Sequence, residues 1–164
     1  MYVRSDRAHM RHRIYAHLVW TTRDRARLID RRAATFLNRF LRDVARQERA
    51  LVLEVGIVQN HLHLLIRQHP LTNVPRLLQR LKGGSAIIGD REHHTSVPLR
   101  WARGYTIESV SRHSLAGARA YVRNQAKRHP TEAIPGWEVP ESVSAAREAE
   151  WIGEGRTFTS RSRL

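Results

Sequence analysis

Two apolar runs separated by only two residues constrain the fold of this chain more than any other feature. Leu51 to Val58 (LVLEVGIV) and His61 to Arg67 (HLHLLIR) are both rich in the aliphatic residues typical of buried strands. Gln59 and Asn60 form the whole connection, and asparagine suits a tight turn. The sequence therefore predicts an antiparallel pair of strands joined by a two-residue turn.

The second run carries two histidines, His61 and His63, set two residues apart. Because side chains alternate between the faces of a strand, both imidazoles are expected on one face, where they could share a metal ion. Histidines that only pack within a strand would show the same spacing, and with ten in the chain a pair can arise by chance. The metal-site interpretation therefore needs a third ligand and a reactive group from elsewhere in the chain.

Hydrophobic periodicity predicts both strands and helices in the rest of the chain. Asp30 is a suitable N-cap for a helix to about Gln47, and Gly83-Gly84 is a weak point in a later helix. The predicted strands are 13–22, 51–58, 61–67 and 105–111, and the predicted helices are 31–47, 72–88 and one that ends before Pro130. This order predicts an α+β fold, a ferredoxin-like (split βαβ, RRM-like) antiparallel sheet with helices packed on it and an added C-terminal helix.

The charge of the chain indicates a polyanionic partner. Its 164 residues include 29 Lys and Arg against 15 Asp and Glu, a formal net charge of +14, and nucleic acid is the first candidate. A basic surface that is merely solvated is the alternative. The absence of cysteine excludes disulfides, a thiolate nucleophile and a zinc-finger site, and it fits a reducing compartment. No apolar run reaches membrane-spanning length, so a cytoplasmic location is expected.

The composition changes at Pro130. Residues 1–130 hold 25 basic and 9 acidic side chains, a net charge of +16, whereas residues 131–164 hold 4 and 6, a net charge of −2. We therefore expect one domain over 1–130 and a C-terminal extension over 131–164. The extension contains one predicted helix at about 142–152, with Trp151 as an apolar anchor. A docking or regulatory segment and a poorly ordered tail are both open interpretations.

The last predicted helix of the domain offers the missing groups, Tyr121 and Gln125, one helical turn apart. If it packs near the histidine strand, Gln125 can join His61 and His63 at one cation. A mixed nitrogen and amide-oxygen set with open positions suits Mg²⁺ or Mn²⁺. A tyrosine oxygen beside that cation can attack a phosphodiester without ATP. The segment LKGGS (81–85) lacks the residue order of a P-loop, so nucleotide hydrolysis has no support.

Five segments, taken in order, resemble the single-tyrosine HUH transposases, the small insertion-sequence and REP-associated class of bacteria and archaea. They are HLVWTTRDR (17–25), NHLHLLI (60–66), LKGGS (81–85), WARGYTIESVS (101–111) and YVRNQ (121–125). All of them fall within residues 13–130. The His-x-His followed by the Tyr-x-x-x-Gln is the most specific part of the resemblance.

The resemblance implies a DNA transposase that cleaves and rejoins single-stranded DNA bearing a hairpin (an imperfect palindrome) through a 5′-phosphotyrosine intermediate. It implies that His61, His63 and Gln125 bind Mg²⁺ or Mn²⁺ and that Tyr121 is the nucleophile. Insertion-sequence members are homodimers in which the tyrosine helix of one subunit can complete the site of the other, whereas REP-associated members are often monomers. Both states are open here. The resemblance also implies a nucleoid-associated protein of prokaryotic type. Gln59 departs from the proline that the family usually has at that position.

Two alternatives keep the same fold. A domesticated relative could serve its host as a nickase, or it could bind hairpin DNA without catalysis. Lys82, Arg123 and Lys127 are candidates for phosphate contacts, with ordinary solvated positions as the alternative. Trp101 and Tyr105 are expected in the core rather than as stacking platforms for bases.

Overall fold

A four-stranded antiparallel sheet organises the protein. The structure, a computed structural model, describes residues 12–151. The strands are β1 (Ile14–Thr21), β2 (Ala50–Val58), β3 (His61–Gln68) and β4 (Thr106–Val110), in the spatial order β2-β3-β1-β4. The helices are α1 (Arg31–Gln47), α2 (Val74–Gln79), α3 (Ser85–Arg91), α4 (Leu115–Arg123), α5 (Gln125–Arg128) and α6 (Ala145–Glu150). None of these helices is long and apolar enough to cross a membrane. The predicted α+β fold with a ferredoxin-like sheet is confirmed.

The predicted hairpin forms between β2 and β3. Val58 pairs with His61, so residues 59–60 alone make the turn. β3 lies between β2 and β1, and its side chains from His61 to Arg67 are buried because helices cover both faces of the sheet. This central position places the histidine pair inside the protein rather than on its surface.

One residue of β2 is extra relative to its partner strand. The register of β2 and β3 shifts between Val52 and Glu54, and Leu53 is the inserted residue. Such a bulge changes which face the following side chains point to. Glu54 consequently lies on the face that carries α4, where its carboxylate contacts Arg119.

One face of the sheet packs on α1. Asp30 caps this helix as predicted, accepting a hydrogen bond of 2.8 Å from the backbone N–H of Ala33. Residues of α1 that are fully buried are Ala33, Ala34, Leu37, Leu41 and Ala45, in one core cluster with Ala16, Leu18 and Trp20 of β1. Each buried leucine contributes about 1.5–3 kcal/mol, so this face supplies most of the hydrophobic stabilisation.

The second predicted helix is divided by a wide turn. A single π-helical turn at Arg80–Gly84 separates α2 from α3. A Cβ atom on Gly84 would lie 2.9 Å from Cζ of Phe40, so glycine lets this turn approach α1 closely. The predicted weak point at Gly83-Gly84 is confirmed, and close packing on α1 is a reason for it besides low helix propensity.

The opposite face carries α4 and the short α5. The sequence predicts one unbroken helix up to Pro130, and this is wrong at Asn124. That residue has φ −95° and ψ +21°, which ends α4, and α5 begins with the next residue. Asparagine is a weak helix former, which allows the break although the side chain of Asn124 makes no capping hydrogen bond. The break leaves Tyr121 37% exposed and Gln125 only 1% exposed.

Residues 131–151 pack on the domain rather than extending from it. The backbone N–H of Gln59 donates to the carbonyl oxygen of Glu132 at 2.8 Å, and Val143 is buried against the sheet face that carries α4. The predicted helix at 142–152 is shorter in the structure, where α6 spans Ala145–Glu150. Trp151 packs against the same core as Val143. Residues 152–164 lie outside the described residues, and the domain boundary at Pro130 stays a prediction.

The two aromatic residues before β4 differ in burial. Trp101 packs partly buried against the core, and its indole N–H donates to Oγ of Ser85 at 3.0 Å. Tyr105 is 47% exposed, which contradicts its expected place in the core. It lies just before the short edge strand β4, which pairs only with β1, so no packed layer covers it.

Candidate active site

His61 and His63 lie at the start of β3, on the face toward α4. They are 4% and 6% exposed, and their ring centroids are 5.2 Å apart. The ring of Tyr121 in α4 lies 5.7 Å from that of His63. Strand alternation therefore places both imidazoles on one face of the sheet. The packing of α4 on that face brings Tyr121 next to them.

A hydrogen-bonded chain fixes the orientation of His61. The amide nitrogen of Asn60 donates to Oε1 of Glu132 at 2.9 Å, which turns its oxygen toward the histidine. Nδ1 of His61 donates to that oxygen at 2.7 Å. The proton therefore sits on Nδ1, and Nε2 keeps a free lone pair. Metal-binding histidines are commonly oriented in this way by a second layer of polar groups.

His63 has a histidine partner. Its Nδ1 lies 2.9 Å from Nε2 of His17 in β1, and the two rings stack with centroids 5.1 Å apart. With the proton on Nδ1 of His63, the lone pair on its Nε2 is free, as in His61. His17 also lies 5.8 Å from the ring of Tyr121, so it contacts both the candidate ligand and the candidate nucleophile.

Both candidate ligands are held in the neutral form. Burial, together with the nearby imidazoles of His17 and His61, lowers the pKa of His63 to about 3. Burial also lowers the pKa of His61, as does His129, while the carboxylate of Glu132 and a weaker contact with the side chain of Gln125 oppose that shift. The neutral imidazole is the form that binds metal ions, so both rings are prepared for this role near neutral pH.

Gln125 reaches the same place from α5. Its Nε2 donates to the carbonyl oxygen of Tyr121 at 2.9 Å, whereas its buried Oε1 has no hydrogen-bond partner among the described residues. Gly56 in β2 makes room for it, since a Cβ atom there would lie 2.7 Å from Cγ of Gln125. Gly56 pairs with His63 across the strands, so the amide is packed beside the histidine pair. A buried oxygen without a partner is costly unless a ligand completes it.

Tyr121 is the accessible member of the site. A groove of about 680 Å³ opens beside it between β4 and α4. The guanidinium of Arg128 lies over the tyrosine ring, 4.5 Å from its centroid. The groove itself is lined by Glu108 as well as His17 and Tyr121, so a phosphate would find its positive charge at Arg128 beside the phenol rather than along the groove wall.

The donor set fits a small divalent cation. Two neutral imidazoles and one amide oxygen are available, and they leave positions open for a substrate oxygen. Across residues 12–151, no three His, Cys, Asp or Glu side chains are grouped closely enough to hold a metal ion. A site here therefore depends on Gln125, and the orphaned Oε1 is the observation that supports it.

Several groups around the site were not predicted from the sequence. They are His17, Asn60, Arg128, His129 and Glu132. His17 could have been found, because strand alternation puts it on the face opposite Leu18 and Trp20. The roles of Asn60 and Glu132 depend on contacts across 72 positions of sequence, which no local pattern reveals.

The three candidate phosphate-contacting residues have different surroundings. The ammonium group of Lys82 donates to three carbonyl oxygens in residues 102–104, at 2.8 to 3.0 Å. Arg123 contacts Glu54 and Ser142, and Lys127 is exposed on α5. Lys82 thus has a structural task in holding the loop before β4. DNA contact by any of the three stays a prediction.

Known transposases resemble this chain over most of its length. The ISDra2 transposase TnpA of Deinococcus radiodurans is 28% identical over 118 residues, which is 66% of this chain and 81% of that protein. A crystal structure described as a transposase of D. radiodurans R1 has 26% identity and a TM-score of 0.55, covering 75% of this chain and 98% of its own. A REP-associated tyrosine transposase bound to a REP hairpin shares the fold, with a TM-score of 0.58 at 12% identity, covering 95% and 97% of the two chains.

A family profile described as "Transposase IS200 like" matches residues 10–125. This span includes β1 to β4 and all four residues that the sequence singled out, His61, His63, Tyr121 and Gln125. It covers well over half of the chain. The protein therefore belongs to the IS200-like transposase family.

Proposed function

We propose that this transposase cleaves and rejoins single-stranded, hairpin-bearing DNA through a covalent phosphotyrosine, with Mg²⁺ or Mn²⁺ bound at His61, His63 and Gln125. One observation carries the proposal: an exposed tyrosine lies beside two neutral, oriented imidazoles and a buried amide oxygen without a partner. A structural role explains the histidines, but it leaves the orphaned oxygen unexplained.

The chemistry needs one attack and one leaving group. The phenol oxygen of Tyr121 bonds to the phosphorus, and the bond from phosphorus to the 3′-oxygen breaks, so that a 3′-hydroxyl leaves with a proton. The phosphotyrosine retains the energy of the broken bond, and a 3′-hydroxyl can attack it in the reverse sense to rejoin a strand. When bound, the cation supplies Lewis-acid polarisation of the phosphate. Arg128 adds positive charge near the phenol as negative charge develops.

The proposed substrate follows from charge and from shared fold. A net charge of +14 favours a polyanion, and the groove beside Tyr121 is open at the surface. The REP-associated transposase of the same fold is bound to a hairpin, and we extend this substrate class to the present chain. A hairpin presents a duplex next to a single strand, and only the single strand must enter the groove.

A labelled single strand from DNA that flanks the gene, containing a hairpin, tests the proposal. With Mg²⁺ or Mn²⁺ we expect a covalent protein–DNA adduct that survives denaturation, and Tyr121→Phe should abolish it. Tyr105→Phe is a matched control, because Tyr105 is also exposed but lies outside the site; it should form the adduct normally.

The outcomes separate the candidate functions. No adduct, or an adduct that persists in Tyr121→Phe, would overturn the proposal. Tight hairpin binding without any adduct would instead favour a non-catalytic DNA-binding protein. The double variant His61→Ala/His63→Ala should lose adduct formation and retain most of its DNA affinity, because phosphate contacts from many cations dominate binding.

A further inference from the structure

We propose that residues 142–151, which we call the C-terminal latch, hold the tyrosine helix against the sheet, with Arg119 and Glu148 as positioning residues for Tyr121. The expected effect on adduct formation rests on the proposed function, but the anchoring of α4 by the latch can be tested separately. The proposal assigns a positioning role to residues 142–151, which contribute no side chain to the reaction itself.

Arg119 joins three elements through one guanidinium. From α4, its Nη1 donates to Oε1 of Glu54 in β2 and to the carbonyl oxygen of Val143, both at 3.0 Å. Its Nη2 donates to Oε2 of Glu148 in α6 at 2.7 Å. The side chains of Arg119, Glu54 and Glu148 are 20%, 2% and 12% exposed, so these charged hydrogen bonds are largely shielded from water. Removing one partner from such a set leaves a buried charge uncompensated.

Glu148 is in turn tied to the sheet. The hydroxyl group of Tyr15 in β1 donates to its Oε1 at 2.6 Å, and Nη1 of Arg67 in β3 donates to its backbone carbonyl oxygen at 2.5 Å. The guanidinium of Arg67 also lies over the ring of Trp151, 5.3 Å from its centroid. Glu148 therefore connects α4 to two strands of the sheet.

The beginning of the latch follows β2. The backbone N–H of Val143 donates to the carbonyl oxygen of Leu53 at 3.2 Å, and Val143 is buried in one cluster with Leu53, Leu65 and Val122. The latch thus covers the side of α4 that faces away from the groove.

The tyrosine helix needs such external support. It has nine residues, and Val122 is its only buried residue. Helices this short are marginal without tertiary contacts. Arg119 lies half a turn before Tyr121, so a change in its anchoring shifts the phenol, and a displacement of about 1 Å can lower a reaction rate about 100-fold.

Glu148→Gln is the informative variant. The amide can turn its oxygen toward Arg119 and donate its N–H to the hydroxyl oxygen of Tyr15, so this variant removes the negative charge that anchors Arg119 while it preserves the size of the side chain. At saturating DNA we expect adduct formation to slow by about 10-fold or more, with DNA affinity changed by less than about 2-fold. Glu150→Gln is the matched control on the same helix, exposed and outside the network, and it should behave as the wild type.

Hydrogen exchange tests the latch without any reaction. In Glu148→Gln, amides of residues 115–128 should exchange faster than in Glu150→Gln, because α4 loses an anchor. Equal exchange, or equal adduct rates at saturating DNA, would overturn the latch. If the wild type forms no adduct but exchange in 115–128 still rises, the proposed function fails while the latch stands.

Discussion

Gly56 shows at the scale of one residue how the sheet and the tyrosine helix meet. A Cβ atom at this position would lie 2.2 Å from the carbonyl oxygen of Val122 and 2.7 Å from Cγ of Gln125. The first of these is a backbone atom, which cannot rotate away as a side chain can. The missing side chain is thus what allows α4 and α5 to lie directly on β2.

Gly56→Ala should therefore damage both stability and the site. We expect the free energy of unfolding to fall by about 1–3 kcal/mol, since overpacking forces the helix away from the sheet. Adduct formation should fall further than stability explains, because Gln125 moves with the helix. Denaturant unfolding and the adduct assay measure the two effects.

Gly117→Ala is the control for glycine replacement itself. Gly117 is exposed in α4, and a Cβ atom there would meet no neighbouring element within 4 Å, so alanine should raise the free energy of unfolding by about 0.5–1 kcal/mol. A Gly56→Ala variant as stable as the wild type would contradict the close approach of α4 to β2.

Individual residues also show what the sequence could reveal of the site. Strand alternation suffices to bring His61 and His63 together. Helical spacing also predicted Tyr121 near Gln125, and the two stay in contact although Asn124 divides them between α4 and α5. The hydrogen bond between His63 and His17 needed the pairing of β1 with β3, which a single sequence does not display. The roles of these residues in metal binding and nucleophilic attack stay predictions, which the adduct assay tests.

At the scale of elements, one carboxylate joins the end of α1 to the α2 region. Glu48 accepts from Nη1 of Arg80 at 2.6 Å and from Nε of Arg76 at 3.1 Å. Burial by itself raises the pKa of Glu48, but the hydrogen bonds from Arg80 and Arg76 outweigh it and lower the pKa. The folded protein therefore favours the ionised carboxylate.

This shift gives a pH-dependent contribution to stability. A lowered carboxyl pKa contributes stability above the unfolded-state value of 4.5, and that contribution is lost as the pH falls through the folded-state pKa. Glu48→Gln should lower the free energy of unfolding by about 1 kcal/mol at neutral pH. At strongly acidic pH the variant and the wild type should converge. Denaturant unfolding at both pH values measures this, and an equal difference at both would contradict the ion-pair explanation.

Elements with strong local signals could be predicted from the sequence, and those set by packing could not. Helix α1 has both an N-cap at Asp30 and a clear apolar stripe, and its bounds agree with the prediction. The end of α4 at Asn124 has no comparable signal, because the break depends on how Gln125 turns into the sheet. The latch was predicted only as a helix near Trp151, since its anchors, Arg119 and Arg67, belong to distant elements.

At the scale of the whole molecule, charge dominates the expected behaviour toward DNA. About five contacts with single-strand phosphates would lower the affinity about 100-fold when the salt concentration rises from about 50 to about 200 mM. Binding of the hairpin strand, measured by fluorescence anisotropy, should show this steep dependence. The double variant His61→Ala/His63→Ala should have nearly the same slope, because uncharged imidazoles release no counterions. A shallow slope in the wild type would contradict the polyanion interpretation.

The two faces of the sheet carry different features, a stabilising core on one and the candidate active site on the other. The face that carries α1 holds an apolar core, whereas the face that carries α4 holds the histidines, the orphaned amide and the charged network of the latch. Substitutions on the first face would reduce how much protein accumulates in a cell. Substitutions of the candidate site residues on the second, such as Tyr121, would leave abundant protein that fails to act. A gene that drifts free of selection for DNA cleavage would therefore lose the α4 face first, and it would leave behind a stable basic fold ready to be adopted for binding alone.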